Sequence, residues 1–144
     1  MKQSNQDNSE IEAWNNFIMN GYPYCSELRG ARLAAGISKH FMGGVNGGGL
    51  NSFLTNSYEL DSQQVLDALR AIGAVKAAAD LAHVLDILGT PLLKSSQDER
   101  WHLLETIWVD ELNAYECFAD TTEAELRGAL ERHVRENKEF YLGL

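Results

Sequence analysis

At 144 residues the chain is long enough to bury one hydrophobic core and too short for two comfortable domains. Its 44% hydrophobic and 23% charged content is ordinary for a globular protein, and no apolar run reaches the roughly 20 residues that a membrane helix needs. Twelve lysines and arginines against 21 carboxylates give a formal net charge of −9, which argues against direct nucleic-acid binding through a basic face and favours a basic partner.

The opening MKQSNQDNSE is polar and unlike a signal peptide, so residues 1–9 are expected to form a flexible lead and the protein to be cytoplasmic. Ile11, Trp14, Phe17 and Ile18 recur at helical spacing and predict a first helix from about Glu10 to Asn20, ended by Gly21-Tyr22-Pro23. A second helix is expected from Ser26, turning Leu28, Leu33, Ile37 and Phe41 inward although Gly30 and Gly36 weaken it. Gly43, Gly44, Gly47, Gly48 and Gly49 then gather around Asn46. Backbone without Cβ atoms turns sharply or admits a close neighbour, so the cluster reads as a joint between helices. A phosphate-loop reading lacks the Gly-Lys-Ser/Thr ending, a leading apolar strand and a downstream ribose-binding acid.

Leu50, Phe53 and Leu54 make a short helical face that ends at Asn56-Ser57. Asp61 and Gln64 have the spacing of a capping box, the next helix buries Val65, Leu66, Leu69 and Ile72, and Gly73 is placed to end it in the left-handed conformation. Another helix carries Val75, Ala78, Leu81, Ala82, Leu85 and Leu88 inward and stops at Gly89-Thr90-Pro91. Arg100 to Val109 places Trp101, Leu104, Ile107 and Trp108 at helical intervals, and a turn or short helix covers Glu111 to Phe118. Thr122 and Glu125 read as a second capping box, opening a helix that buries Leu126, Ala129, Leu130, His133 and Val134. Nothing alternates with period two for long, so the expected fold is all-α, a single compact domain of about six to eight short helices over residues 10–144.

His40, His83, His102 and His133 offer general bases or metal ligands, but no His-Glu-x-x-His pattern, serine elbow or paired cysteine ligands accompany them. His102 and Glu105 stand three apart on one helix and would suit a bundle-core metal site only beside a second such pair. His133 falls on an apolar face and reads as a satisfied core or boundary residue. Cys25 and Cys117 have no metal or redox spacing and read as buried free thiols, with a disulfide between them as the alternative that nothing in the spacing supports. No catalytic residue, metal or cofactor is assigned, and an enzyme is the weaker alternative.

Asn46-Gly47-Gly48 with Phe53 and Asn56-Ser57, then Ala68-Leu69 and Ile72-Gly73-Ala74, and later Leu126 and Asn137 to Phe140, resemble the DNA mimic protein family, a bacterial family otherwise labelled as of unknown function. The resemblance runs from about Leu28 to Tyr141. It departs from the family pattern at Gly49-Leu50, where an aromatic is expected, and at Leu112-Asn113-Ala114-Tyr115, where the family tends to have an acidic turn. It implies a small, acidic, helical and dimeric protein whose carboxylates imitate DNA phosphates and occupy a DNA-binding protein. The structural motif it carries over is Asn46, Gly47, Gly48, Phe53, Asn56 and Gly73.

The residues themselves show where such a surface would lie. Between Arg100 and Arg127 the sequence has Glu105, Asp110, Glu111, Glu116, Asp120, Glu123 and Glu125 with no lysine or arginine, and these are the candidate partner-binding residues. A globule of this length is about 35–40 Å across, and duplex DNA of that length carries on the order of twenty charges. One subunit at −9 falls short of that, and a two-fold homodimer comes closer. The same carboxylates would serve an immunity-type inhibitor of a basic protein such as a nuclease toxin, and plain solubility is the bland alternative.

Overall fold

Ala34, Ala35, Ile37, Phe41, Val45, Leu50, Phe53 and Leu54 are all buried, and they belong to one long helix against which much of the chain is packed. The computed structural model describes residues 2–19, 29–115 and 118–142, with side chains over 8–19, 29–115 and 122–142. Its elements are α1 (Lys2–Met19), α2 (Gly30–Asn56), α3 (Ser62–Ala71), α4 (Val75–Leu88), α5 (Gln97–Ile107) and α6 (Phe118–Glu136), with 3-10 turns at Asp110–Tyr115 and Lys138–Phe140. No strand occurs among the described residues, and the fold is all-α as expected. The long α2 is contacted by α6, α3 and α5, while α1 lies on α6 and α4 lies on α3 and α6.

Several elements differ from their sequence-based bounds. The first helix starts at Lys2 rather than Glu10, so the backbone of residues 2–9 is helical. Gly21-Tyr22-Pro23, Cys25, Ser26, Leu28, Glu116 and Cys117 lie outside the described residues, as do the side chains of Phe118 and Asp120. The glycine cluster was expected to separate two helices, yet Gly43 to Gly48 lie within α2 and the joint narrows to Gly49. Gly49 has φ 86° and ψ 174°, a conformation essentially confined to glycine. In a straight helix, residues nine apart would stand about 13.5 Å apart along the axis. The bend instead brings Phe53 onto Gly44, where a Cβ would lie 2.6 Å from the Phe53 ring. Phe53 then meets Phe41 edge to face at 4.9 Å.

The α3 capping box is present in both directions, with Asp61 accepting from the Gln64 amide at 2.9 Å and Gln64 from the Asp61 amide at 3.1 Å. Left-handed Gly73 and Gly89 follow α3 and α4 as expected. The second capping box does not form. Helix α6 already begins at Phe118, and Thr122 is a buried residue inside it. Val75, expected inward, is exposed because it opens α4, whose buried stripe starts at Ala77 and Ala78. Likewise Trp101, at a core-like spacing, is 50% exposed on α5, whose wholly buried apolar side chain is Leu104.

Candidate functional site

Arg100 begins the acidic interval in the sequence, but it is not part of the surface. It sits in the first turns of α5, which is opened by Ser96 accepting from the Glu99 amide at 3.2 Å, and it is only 2% exposed. Its guanidinium donates to the carbonyls of Leu54 at 2.7 Å, Leu60 at 2.9 Å and Leu93 at 2.7 Å. The side chain thereby ties the end of α2, the turn before α3 and the loop before α5 together. Burial pushes its pKa below the ordinary arginine value, with the nearby Asp61 opposing that shift. An arginine stays protonated in such a place, so three carbonyl dipoles take the place of water around a buried cation.

The consequence is electrostatic. Between Lys94 and Arg127 the sequence contains no other lysine or arginine, so with Arg100 turned inward the acidic stretch reaches back to Asp98 and Glu99. Asp98, Glu99, Glu105, Asp110, Glu111 and Glu123 are all exposed. Among the described residues the ion pairs are Lys76–Asp80 at 2.7 Å and Glu131–Arg135 at 3.1 Å, and neither involves this stretch. Asp98 and Glu99, absent from the sequence-based set, were hidden by the apparent cation beside them.

Glu105 lies on α5, Asp110 and Glu111 open the following 3-10 turn, and Glu123 projects from α6. Glu116 is outside the described residues, and Asp120 is placed by its helical backbone alone. Glu125 differs from the others. Its two carboxylate oxygens accept from the backbone amides of Lys76 at 2.8 Å and Ala77 at 3.0 Å. The preceding residue at the start of α4, Ala74, has no side chain that can cap, so a residue of α6 supplies the cap from across the fold. Glu125 is therefore already engaged inside the molecule.

The glycine-motif residues are structural in the same sense. Phe53 is core, and Asn56 accepts from the Gln97 side chain at 2.9 Å, joining the end of α2 to the start of α5. Asn46 approaches Glu123 at 3.5 Å, the outer limit of a hydrogen bond. Gly47 and Gly48 lie exposed on α2 just before the bend.

The histidines are scattered. His133 meets the Ala31 carbonyl at 2.9 Å and so fills the boundary role expected for it, joining α6 to the start of α2. His40 contacts the Ser57 hydroxyl at 3.2 Å, and burial pushes its pKa down from 6.5. His83 lies tilted against Tyr115, with ring centroids 6.0 Å apart and planes 53° apart, and His102 is exposed beside Trp101. Among the described residues no three histidine, cysteine or carboxylate side chains gather as a metal-holding group, and no helix is long and apolar enough to cross a membrane.

A protein-family model described as DMP19-like protein matches residues 26–137, most of the chain. The chain belongs to this family, a DNA mimic protein family, in agreement with the resemblance carried by Asn46-Gly47-Gly48 and Ile72-Gly73-Ala74. No curated protein and no solved structure matches it.

Proposed function

We propose, with membership of a DNA mimic family as the premise, that this protein is a non-catalytic acidic binding protein that presents its carboxylates as a DNA-like surface to a DNA-binding protein and blocks that protein's access to DNA. The observation that carries the reading is the inward turn of Arg100. It leaves a stretch from Asp98 to Glu123 whose described exposed charges are all negative and free of ion pairs. Exposed carboxylates attract a basic surface over a distance set by screening, about 8 Å at physiological salt, and they steer encounter more than they determine final affinity.

Glu105, Asp110, Glu111 and Glu123 are the contacts taken from the sequence reading, and Asp98 and Glu99 join them. The charge of one subunit, −9, is small beside that of a duplex of equal length, so the reading places the carboxylates on a two-fold homodimer in the cytoplasm. Sedimentation at micromolar concentration checks the dimer. The function is tested by capture from a bacterial lysate at low salt, followed by elution at ~0.5 M salt or with duplex DNA, where screening and competition should both release the partner. A DNA-binding protein released by both is the expected result. A nuclease that DNA does not displace would replace this reading with the immunity-type one, and the absence of any salt-sensitive partner would return the charge to solubility alone.

A further inference from the structure

The second segment of α2 leaves the Gly49 bend and brings Asn51 near α5. Between them lies a cleft of about 370 Å³ lined by Asn51, Trp101, Leu104, Glu105 and Trp108. Leu104 is fully buried and forms an apolar floor, and Trp108 is held by its indole N–H donating to the Asn113 side chain at 2.9 Å. Trp101 is left half in water and Glu105 is exposed with no ion pair among the described residues. Two indoles and an unpaired carboxylate around one apolar floor, with no lysine or arginine among the lining residues, make a receptor for a planar cation.

We infer that this cleft receives an arginine side chain of the basic partner, its guanidinium against the indoles and paired with Glu105. Arginine fits better than lysine because it is flat, weakly hydrated and able to meet a carboxylate through two parallel hydrogen bonds. Aromatic anchors of this kind carry a large share of the binding energy at protein interfaces. The cleft would thus add to the imitated phosphates a contact that a DNA backbone does not offer. The inference rests on the reading that the acidic surface meets a basic protein.

The test uses the full ¹⁵N-labelled chain titrated with Nα-acetyl-arginine amide, its lysine counterpart and its neutral citrulline counterpart, with the three tryptophan indole N–H signals as readout. Saturable shifts are expected at Trp101 and Trp108 with arginine, weaker ones with lysine and none with citrulline. Trp14, on α1 and not among the residues that line the cleft, serves as the internal control. Glu105→Gln and Trp101→Leu should each weaken arginine binding about two- to fivefold, the range for an exposed cation–π or ion-pair contact, with circular dichroism showing both variants folded. Equal shifts with citrulline, tighter binding of lysine, shifts at Trp14 to the same degree, or indifference to both variants would overturn the assignment. The two readings fail separately. Arginine binding without a DNA-displaceable partner sinks mimicry and leaves the cleft, whereas partner capture undiminished by Trp101→Leu, with silent indoles, sinks the cleft and leaves mimicry.

Discussion

Replacing Glu125 by alanine should destabilise the fold, although Glu125 sits in the same acidic run as residues whose loss should cost almost nothing. Its carboxylate accepts two backbone amides at 2.8 and 3.0 Å at the start of α4, where no local side chain serves. Loss of a helix cap costs about 0.5–2 kcal/mol, and here two amides lose a charged acceptor that also faces the positive end of the helix dipole. The upper half of that range, about 1–2 kcal/mol, is therefore expected. For a domain of this size it corresponds to a fall in Tm of roughly 3–6 °C. Urea unfolding followed by circular dichroism measures the loss, with Glu123→Ala as the matched control. Glu123 is exposed, and its hydrogen bond among the described residues is the 3.5 Å approach of Asn46, so its replacement should stay within about 0.5 kcal/mol. If Glu125→Ala and Glu123→Ala behave alike, the assignment of Glu125 to a structural cap is wrong.

Arg100→Met removes the donor to three carbonyls, and at about 1–3 kcal/mol for each buried acceptor left unsatisfied a loss of about 3 kcal/mol or more is expected in the same unfolding assay. A loss below about 1 kcal/mol would mean the carbonyls find water instead. Gly49→Ala and Gly47→Ala should change stability in opposite directions. The first forces alanine to φ 86° and costs about 1–3 kcal/mol, while the second adds a Cβ with nothing within 4 Å inside a helix and stabilises by about 0.5–1 kcal/mol. Two losses, or two gains, would contradict the placement of the bend. Burial holds the His40 pKa below 6.5, so the unfolded chain takes up the proton first; the stability this residue contributes is present above pH 6.5 and is lost as pH falls below it. Thermal melts between pH 7 and pH 5 should therefore show a smaller decline for His40→Gln than for the parent, and an unchanged decline would refute the assignment.

What could be read from the sequence, and what could not, divides by the range of the interaction. Asp61 and Gln64 cap α3 through amides three residues away, so the local pattern contains the whole interaction. Thr122 and Glu125 have the same spacing, yet Thr122 is drawn into the core and Glu125 reaches 48 and 49 positions back to α4. Gly49 could not be told from its neighbours, because which glycine bends is decided by Phe53 packing on Gly44. Trp101 has the helical spacing of a core residue, and only the direction of α5 over α2 leaves it half exposed. Arg100 bears most on the surface. Charge normally marks solvent exposure, but this one is enclosed by carbonyls from positions 54, 60 and 93, so the acidic stretch proved longer than the letters indicated.

A DNA mimic works by displacing DNA from a protein with its exposed carboxylates. The most direct measurement follows fluorescence anisotropy of labelled duplex DNA bound to the captured partner as the protein is added, alongside a variant carrying Glu105→Lys, Asp110→Lys and Glu111→Lys. These positions are exposed and take part in no ion pair among the described residues, so the variant should melt close to the parent. The parent should release the DNA at near-stoichiometric ratios, less effectively as salt rises, and the variant should leave it bound. Equal release by both, or DNA that stays bound while the parent joins the complex, would contradict the claim.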